Sequence, residues 1–309
     1  MSKLISVILP VYNGGNFLEE SIESILNQTY QNFEFIIIND GSTDNSHQII
    51  DKYLESKKII YLSRENKGLV QTLNEAIRLS EGEFIARMDQ DDICYPNRLE
   101  SQIKFMDRNK LDVCGCNYEI IDEVGNYLKT KIVEKENFEF LLSAMMVPFI
   151  HPSVMYKNFF NDKKINYGDD NFNINAEDYD LWVRIFEKNL KFGNVDEILI
   201  KYRYVKSSLS RINKKNIFQE VYFRCNKFNL TNKKTLLKKY STIAQKKTNK
   251  SFKVIIFKSA FNFIKINGFN YKILKLFFKL NPIYLFIGFL LFIKQEILFK
   301  YYKTIKLNG

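Results

Sequence analysis

The sequence is poor in the residues that build disulfide, thiolate-metal and histidine chemistry. It holds four cysteines (Cys94, Cys114, Cys116, Cys225) and two histidines in 309 residues. No C-x-x-C spacing occurs among them, which excludes a disulfide framework, argues against structural zinc and fits reduced thiols in a cytosolic protein. Long hydrophobic runs are also missing. The longest uncharged apolar stretch, Pro282 to Ile293, has 12 residues, short of the ~20 that span a bilayer. The first apolar run, ISVILPVY, lacks the basic region and cleavage site of a signal peptide, and Pro10 interrupts it. Two glycine signatures for nucleotide phosphates are absent as well: the first turn reads PVYNGGN, neither G-x-G-x-x-G nor G-x-x-x-x-G-K-[ST]. No internal repeat is found.

What is present divides sharply by charge. Residues 211–309 carry 22 Lys and Arg against two acids, Glu220 and Glu296, a balance of +20. The first 210 residues carry 24 basic and 33 acidic side chains, a balance of −9. An acidic body therefore precedes a basic tail, with a boundary near residue 215.

The body alternates strand and helix patterns. Ile5–Leu9, Phe33–Asn39, Ile59–Leu62 and Phe84–Met88 are short β-branched apolar runs. Between them, Phe17–Leu26 and Leu69–Leu79 space apolar residues for a helix, and Asp44 is placed to cap a third helix through Leu54. Repeated βα units with near-continuous apolar strands predict an α/β fold, a mostly parallel sheet with helices on both faces. Ligands of such sheets bind beyond the carboxyl ends of the strands. Asn13-Gly14-Gly15, Asp40-Gly41-Ser42 and Asp89–Asp92 each follow a strand and so are predicted to meet on one edge. Residues 110–210 read as a mixed region.

The stretch RMDQDD concentrates three carboxylates in four residues at the end of a buried run. Without a glycine cradle or phosphate-loop lysine, a diphosphate on this edge needs another counter-charge. A divalent metal on Asp89 and Asp91 supplies it, because hard cations take carboxylate oxygens and keep positions open for phosphate. The plainer reading is a solvated acidic turn, which leaves the clustering of charge at a strand end unexplained.

Six motifs in order, SVILPVYN, INDGSTDNS, NKGLVQTLNEAI, GEFIARMDQDD…PNRLE, HPSVMYK and AEDYDLWVRI, resemble the bacterial glycosyltransferase family 2 with its GT-A fold. The resemblance runs from about Leu4 to Ser210 and is specific for family rather than for sugar. It implies an inverting transferase that uses a nucleotide-diphosphate sugar, usually UDP-linked, and a divalent metal (Mn²⁺ or Mg²⁺). Carried onto this sequence, Pro10, Tyr12 and Asn13 match the loop bordering the nucleotide. Tyr12 then stacks on uracil, and Asp40 accepts from the ring N–H of the base. Against these stand simple packing for Tyr12 and a turn-forming Asp before Gly41. Asp89-Gln90-Asp91 matches the family's D-x-D, with Asp91 the direct metal ligand and Asp89 nearer the ribose and water shell. Asp92 is expected to cap the segment that leads to Pro96.

Glu177 and Asp178 match the family's E-D pair, which the resemblance makes the acceptor-side base, with Asp178 the catalytic carboxylate. Leu181, Trp182, Ile185 and Phe186 share a helical face, so both acids lie in a first turn. There the helix dipole favours the ionised form, and a merely dipole-complementing role is the alternative. His151 falls in the motif that lines the acceptor side, where a structural histidine before Pro152 is equally expected. Many relatives carry a histidine where this chain has Val205, so Arg203, Lys206 or Arg211 is expected at the diphosphate instead.

The tail, residues 216–309, mixes Lys with Phe, Ile and Tyr, as interfacial helices on anionic lipid do. A helical subdomain with a solvated basic face is the alternative, and nucleic acid is not expected, since no recognised binding module accompanies the charge. The expected function is sugar transfer to a glycan or lipid-linked acceptor, in lipopolysaccharide or capsule synthesis, at the inner membrane surface. A catalytically inactive nucleotide-sugar module is the alternative from another class. A nucleotidyltransferase would need a basic activating segment near the first turn, which PVYNGGNFLEE does not contain.

Overall fold

The computed structural model describes residues 2–159, 165–168, 176–206, 208, 214–243 and 250–268, with single positions at 290, 293 and 297. It divides into two compact units, 1–136 with 149–208, and 137–148 with 209–309.

The first unit is built on one sheet. In chain order its strands are β1 (Ile5–Val11), β2 (Phe33–Asp40), β3 (Ile59–Arg64), β4 (Phe84–Arg87), β5 (Ile93–Cys94), β6 (Val113–Ile121), β7 (Tyr127–Lys131), β8 (Met155–Lys157) and β9 (Phe192–Arg203). They lie in the order β3-β2-β1-β4-β8-β6-β9-β5, with β7 paired to β6. The β3-β2-β1-β4 half is all parallel. The other half is mixed: β6 and β9 run parallel, and β8, β5 and β7 pair antiparallel to their neighbours. Helices α1 (Leu18–Leu26), α2 (Ser46–Asp51), α3 (Leu69–Leu79), α4 (Arg98–Asn109) and α6 (Glu177–Glu187) belong to this unit.

Because β1 to β4 are parallel, Val11, Asp40, Arg64 and Arg87 all end at one edge, and the three polar loops predicted to meet there do so. β1 continues through Pro10 to Val11, beyond the expected end at Leu9. Residue 10 shares the parity of Ile8, whose carbonyl accepts the Met88 N–H at 3.0 Å on the β4 side. The β4 ladder stops at Ile8 opposite Arg87. Pro10 offers no N–H on this side, and the β4 ladder ends there, while pairing with β2 continues to Val11. α2 is shorter than expected. It closes in tighter turns at Tyr53 and Leu54, whose N–H groups donate to the Ile50 and Asp51 carbonyls, and Leu54 is exposed.

The second unit is discontinuous in sequence. The division falls at 208/209, and an internal segment, 137–148, goes with the C-terminal residues. The segment's helix α5 (Phe138–Ser143) reads FEFLLS, and all six residues are buried. Around it lie α7 (Lys214–Thr231), α8 (Lys233–Ile243) and α9 (Lys250–Asn267). The Ser143 carbonyl accepts from Cys225 Sγ at 3.4 Å and from Asn229 and Asn262 Nδ2 at 3.3 Å each. Glu139, buried, pairs with Lys239. An apolar helix of six residues cannot bury its whole circumference alone, so its sequence position did not decide its neighbours. No helix among the described residues is long and apolar enough to cross a membrane. The apolar stretch Pro282–Ile293 lies outside the described residues except for positions 290 and 293.

Candidate active site

The loop after β4 gathers three carboxylates. One oxygen each from Asp89, Asp91 and Asp92 lies within 4.8 Å of the others. Asp92 is fully buried. Its Oδ1 accepts the backbone N–H of Arg203 at 2.8 Å, and its Oδ2 has no hydrogen-bond partner among the described residues. Asp92 thus anchors β9 rather than capping a helix; α4 begins six residues later behind Asn97. Burial pushes the Asp92 carboxyl well above its usual range, with the negative charge of Asp91 adding to it. Burial and then the Asp89 charge push Asp91 up to about 6. Asp91 and Asp92 thus resist ionisation, as like charges in a desolvated site do.

Two further contacts shape this loop. Arg87, the last residue of β4 and buried, forms an ion pair with Asp89. Gln90, the middle residue of the D-x-D, accepts the Tyr12 N–H at 2.8 Å and donates to the Tyr12 carbonyl at 3.0 Å. The first loop is tied equally well on its other side. Asn13 takes a left-handed φ of 50° and accepts the Thr43 N–H at 2.8 Å. The N–H groups of Asn13, Gly14 and Gly15 donate to Ser42 Oγ, Ser46 Oγ and Asp44 Oδ2 at 2.9–3.0 Å. Pro10 is buried within β1, and the Tyr12 side chain stays half exposed above the edge. Asp40 is buried, pairs with Arg64, and accepts the Lys67 and Gly68 N–H groups at 2.7 and 3.0 Å. It ties the end of β2 to the turn into α3, while the local Ser42 N–H donates to Asn39 Oδ1.

On the same unit, Glu177 and Asp178 open α6, whose buried side is Tyr179, Leu181, Trp182, Val183 and Ile185. Burial pushes Glu177 up to about 8, with the Asp178 charge as the next cause. Asp178 is also raised, chiefly by burial, against the Tyr179 N–H that donates to its Oδ1 at 2.6 Å. The first-turn position was expected to favour the ionised form. Dehydration outweighs it here. Asp180 is committed elsewhere, to Arg184 at 2.7 Å. His151 Nδ1 stands 3.7 Å from Glu177 Oε1, and its Nε2 shares a 2.9 Å hydrogen bond with the Tyr167 hydroxyl. Burial, then the Arg87 charge, holds the imidazole well below its usual pKa, so His151 is neutral beside the acids.

Residues 6–168 match the family described as Glycosyl transferase family 2. The chain belongs to this family. It is 38% identical over 224 residues to an uncharacterised glycosyltransferase of Methanocaldococcus jannaschii, covering 70% of this chain and 76% of that one. It is 34% identical over 212 residues to the O-antigen biosynthesis glycosyltransferase WbnJ of Escherichia coli, covering 67% and 82%. The match spans 64% of the length of two rickettsial relatives. In fold the chain resembles S. aureus TarS in complex with UDP-GlcNAc, with a TM-score of 0.61 at 19% identity over 86% of this chain and 74% of that one. It also resembles the mannosyltransferase PcManGT of Pyrobaculum calidifontis in complex with GDP-Man and Mn²⁺, with a TM-score of 0.57 at 14% identity over 95% and 86%. The GT-A fold expected from the motifs is the fold of this family 2 glycosyltransferase.

One expected site residue is spent elsewhere in this glycosyltransferase. Arg203 is buried and its guanidinium is taken up by protein groups. Its Nε donates to the Asp91 carbonyl at 2.9 Å, its Nη1 to the Asp122 and Glu123 carbonyls at 3.4 and 3.1 Å, and its Nη2 pairs with Glu20 at 2.8 Å. It braces the acidic loop against the β6–β7 turn. The Lys206 N–H donates to Glu123, and Arg211 lies outside the described residues. Three residues of the site were not singled out from the sequence: Arg87, Gln90 and Tyr167. The available signal for Arg87 was a charged residue ending a buried strand.

Proposed function

We propose that this chain is a metal-dependent, inverting glycosyltransferase that moves a hexose or N-acetylhexosamine from a UDP-sugar to a glycan or lipid-linked acceptor. Its setting is cell-surface lipopolysaccharide or capsule synthesis at the inner face of the cytoplasmic membrane. The observation that carries the reading is the presence, in one unit, of two acidic groups of different character. Asp89, Asp91 and Asp92 crowd together at the strand edge, and Glu177 with Asp178 opens α6, part-buried and shifted toward neutral pKa.

The first group fits a hard divalent cation. Its donors are all oxygens, one of them a buried carboxylate oxygen without a hydrogen-bond partner among the described residues. Asp91 and Asp89 would hold the ion. When bound, such a cation supplies charge stabilisation for a departing diphosphate. PcManGT with Mn²⁺ and TarS with UDP-GlcNAc support the cofactor and donor classes, and the name of WbnJ supports the pathway class.

The second group moves the proton. A base must take it from the acceptor hydroxyl as that oxygen attacks the anomeric carbon opposite the leaving nucleotide, and a base is most effective with its pKa near the working pH. In this reading Asp178 accepts the proton and Glu177 shares the pair's charge. Neutral His151, held by Tyr167, lines the acceptor side. Pro10, Tyr12, Asn13 and Asp40 border the nucleotide base, with Tyr12 the exposed ring available for stacking. The +20 balance of residues 211–309 supports an anionic lipid surface as the setting.

The test is a panel of UDP-sugars with Mn²⁺ or Mg²⁺, with and without lipid-linked acceptors. Metal-dependent turnover of one donor, with inverted anomeric configuration in the product, is expected. Retained configuration, or equal turnover in EDTA, overturns the corresponding part of the reading.

A further inference from the structure

Asn74 lies in the interior of α3, where a short amide side chain ordinarily weakens a helix. Its amide is spent on a partner 93 residues away. Nδ2 donates to the Tyr167 carbonyl and Oδ1 accepts the Tyr167 N–H, both at 2.8 Å. These are the two bonds a neighbouring strand would make, so the Tyr167 backbone is fixed in position and direction. Two further contacts hold the same short segment. Gly168 takes a left-handed φ of 71° and comes so near α3 that a Cβ there would meet Val70 Cγ1 at 3.2 Å. Arg184 of α6 donates through Nη2 to the Asn166 carbonyl at 2.8 Å and pairs through Nε with Asp180 at 2.7 Å.

The Tyr167 side chain carries this constraint to the second acidic group. Tyr167 is 1% exposed, and its hydroxyl shares the 2.9 Å hydrogen bond with His151 Nε2. The imidazole is flanked by rings, with the Tyr167 centroid at 5.4 Å and the buried Trp182 edge-on at 6.2 Å. With Nε2 held, the other ring nitrogen is turned to Glu177 Oε1 at 3.7 Å. At the start of α3 the Gly68 N–H donates to Asp40 at 3.0 Å, so the helix that clamps Tyr167 is itself tied to the end of β2. A phenylalanine would fill the same volume as Tyr167. Packing therefore gives no reason for an amide and a hydroxyl to stand in series behind a histidine.

We propose that Asn74 and Tyr167 are positioning residues for His151: the Asn74 amide fixes the Tyr167 backbone, and the Tyr167 hydroxyl holds the imidazole with Nδ1 turned toward Glu177. The inference rests on the transferase reading above, which puts His151 and Glu177 on the acceptor side, and adds the pair of side chains that orients them from α3. A neutral imidazole has one donor and one acceptor nitrogen, so a ring that turns presents either one to an acceptor hydroxyl. A ring held at Nε2 presents one. Misplacing such a group costs rate rather than donor binding.

The chain has two histidines, so ¹⁵N-histidine labelling of the full protein gives two imidazoles to follow. His151→Gln assigns them, and His47 on α2 is the internal control. Tyr167→Phe keeps the ring and both Asn74 bonds. It should shift the His151 Nε2 resonance and leave His47 in place. Asn74→Ala should shift the same resonance, and the double variant should add little to the larger single shift, as groups acting in series do. Both should lower kcat for hydrolysis of the UDP-sugar that the donor panel selects by roughly three- to tenfold, the range of one lost hydrogen bond. UDP affinity by calorimetry should stay within about twofold of wild type. Where melting curves show that Asn74→Ala does not fold, Asn74→Ser takes its place. A His151 resonance that stays put in Tyr167→Phe, or that moves there and not in the Asn74 variant, overturns the assignment, and so does a shift with unchanged kcat. Absence of donor turnover in the wild-type protein would overturn the transferase reading instead, leaving the ring resonances to judge whether Asn74 and Tyr167 hold His151.

Discussion

The Gln90 side-chain amide lies against the backbone of Tyr12, accepting its N–H at 2.8 Å and donating to its carbonyl at 3.0 Å. The pairing joins the loop expected at the nucleotide base to the loop that gathers the carboxylates. Gly14 stands so close that a Cβ there would meet Gln90 Oε1 at 2.6 Å. Each hydrogen bond contributes about 0.5–1.5 kcal/mol net. Gln90→Ala should therefore raise the donor KM by roughly tenfold with a smaller change in kcat, as loss of ground-state placement does. Steady-state kinetics with the preferred donor checks this, and a loss confined to kcat would show that Gln90 acts on the chemistry.

Nucleotide binding is expected to depend on a divalent ion through Asp91. UDP affinity measured by calorimetry should fall together in EDTA and in Asp91→Ala. The variant should also lose its response to added Mn²⁺. Unchanged UDP affinity in both conditions would remove the metal from binding.

Asp178→Asn should keep UDP-sugar affinity and lose roughly 10²-fold or more in turnover, because proton abstraction and donor binding use different groups. Near-normal turnover would move the role to Glu177. Asp180 is a weaker substitute, since it is already paired with Arg184.

The raised Glu177 has a consequence for stability. Its carboxyl goes from an ordinary value of 4.5 to about 8 in the fold, so between those values the native state binds more protons than the unfolded one. Stability contributed by this group is complete at acid pH and is lost as pH rises through its folded pKa. Glu177→Gln should flatten that dependence and melt above wild type at pH 8.5, by on the order of 1–3 kcal/mol. Thermal melts from pH 5 to pH 8.5 decide it; parallel curves for the two proteins would mean that Glu177 is ionised in the fold across this range.

The basic tail makes a separable prediction. Each cation near an anionic surface contributes about 1 kcal/mol, screened by salt. The full chain should sediment with anionic vesicles, less with neutral ones, and partly release in high salt. Truncation after Ile273 should weaken vesicle binding and spare donor hydrolysis. Equal binding to both vesicle types would instead favour a packed helical subdomain.

The strands of the β3-β2-β1-β4 half, the meeting of three polar loops on one edge and the buried face of α6 were all legible in the sequence. Each depends on a local period of apolar residues, and period alone sets which face turns inward. So was the crowding of Asp89, Asp91 and Asp92, because four consecutive positions cannot lie far apart. Tertiary structure decided the partners. Arg203 reaches the Asp91 carbonyl from 112 residues away, and Asp92 receives the Arg203 N–H from the same strand. Those contacts make Arg203 a brace for the acidic loop and Asp92 an anchor for β9. The apolar helix at Phe138–Ser143 joined the C-terminal unit for the same reason: a short buried helix takes whichever elements cover it, and sequence adjacency does not say which. Burial likewise moved Glu177 and Asp178 up and His151 down from their ordinary values, since dehydration is a property of the assembled surroundings and not of the residue.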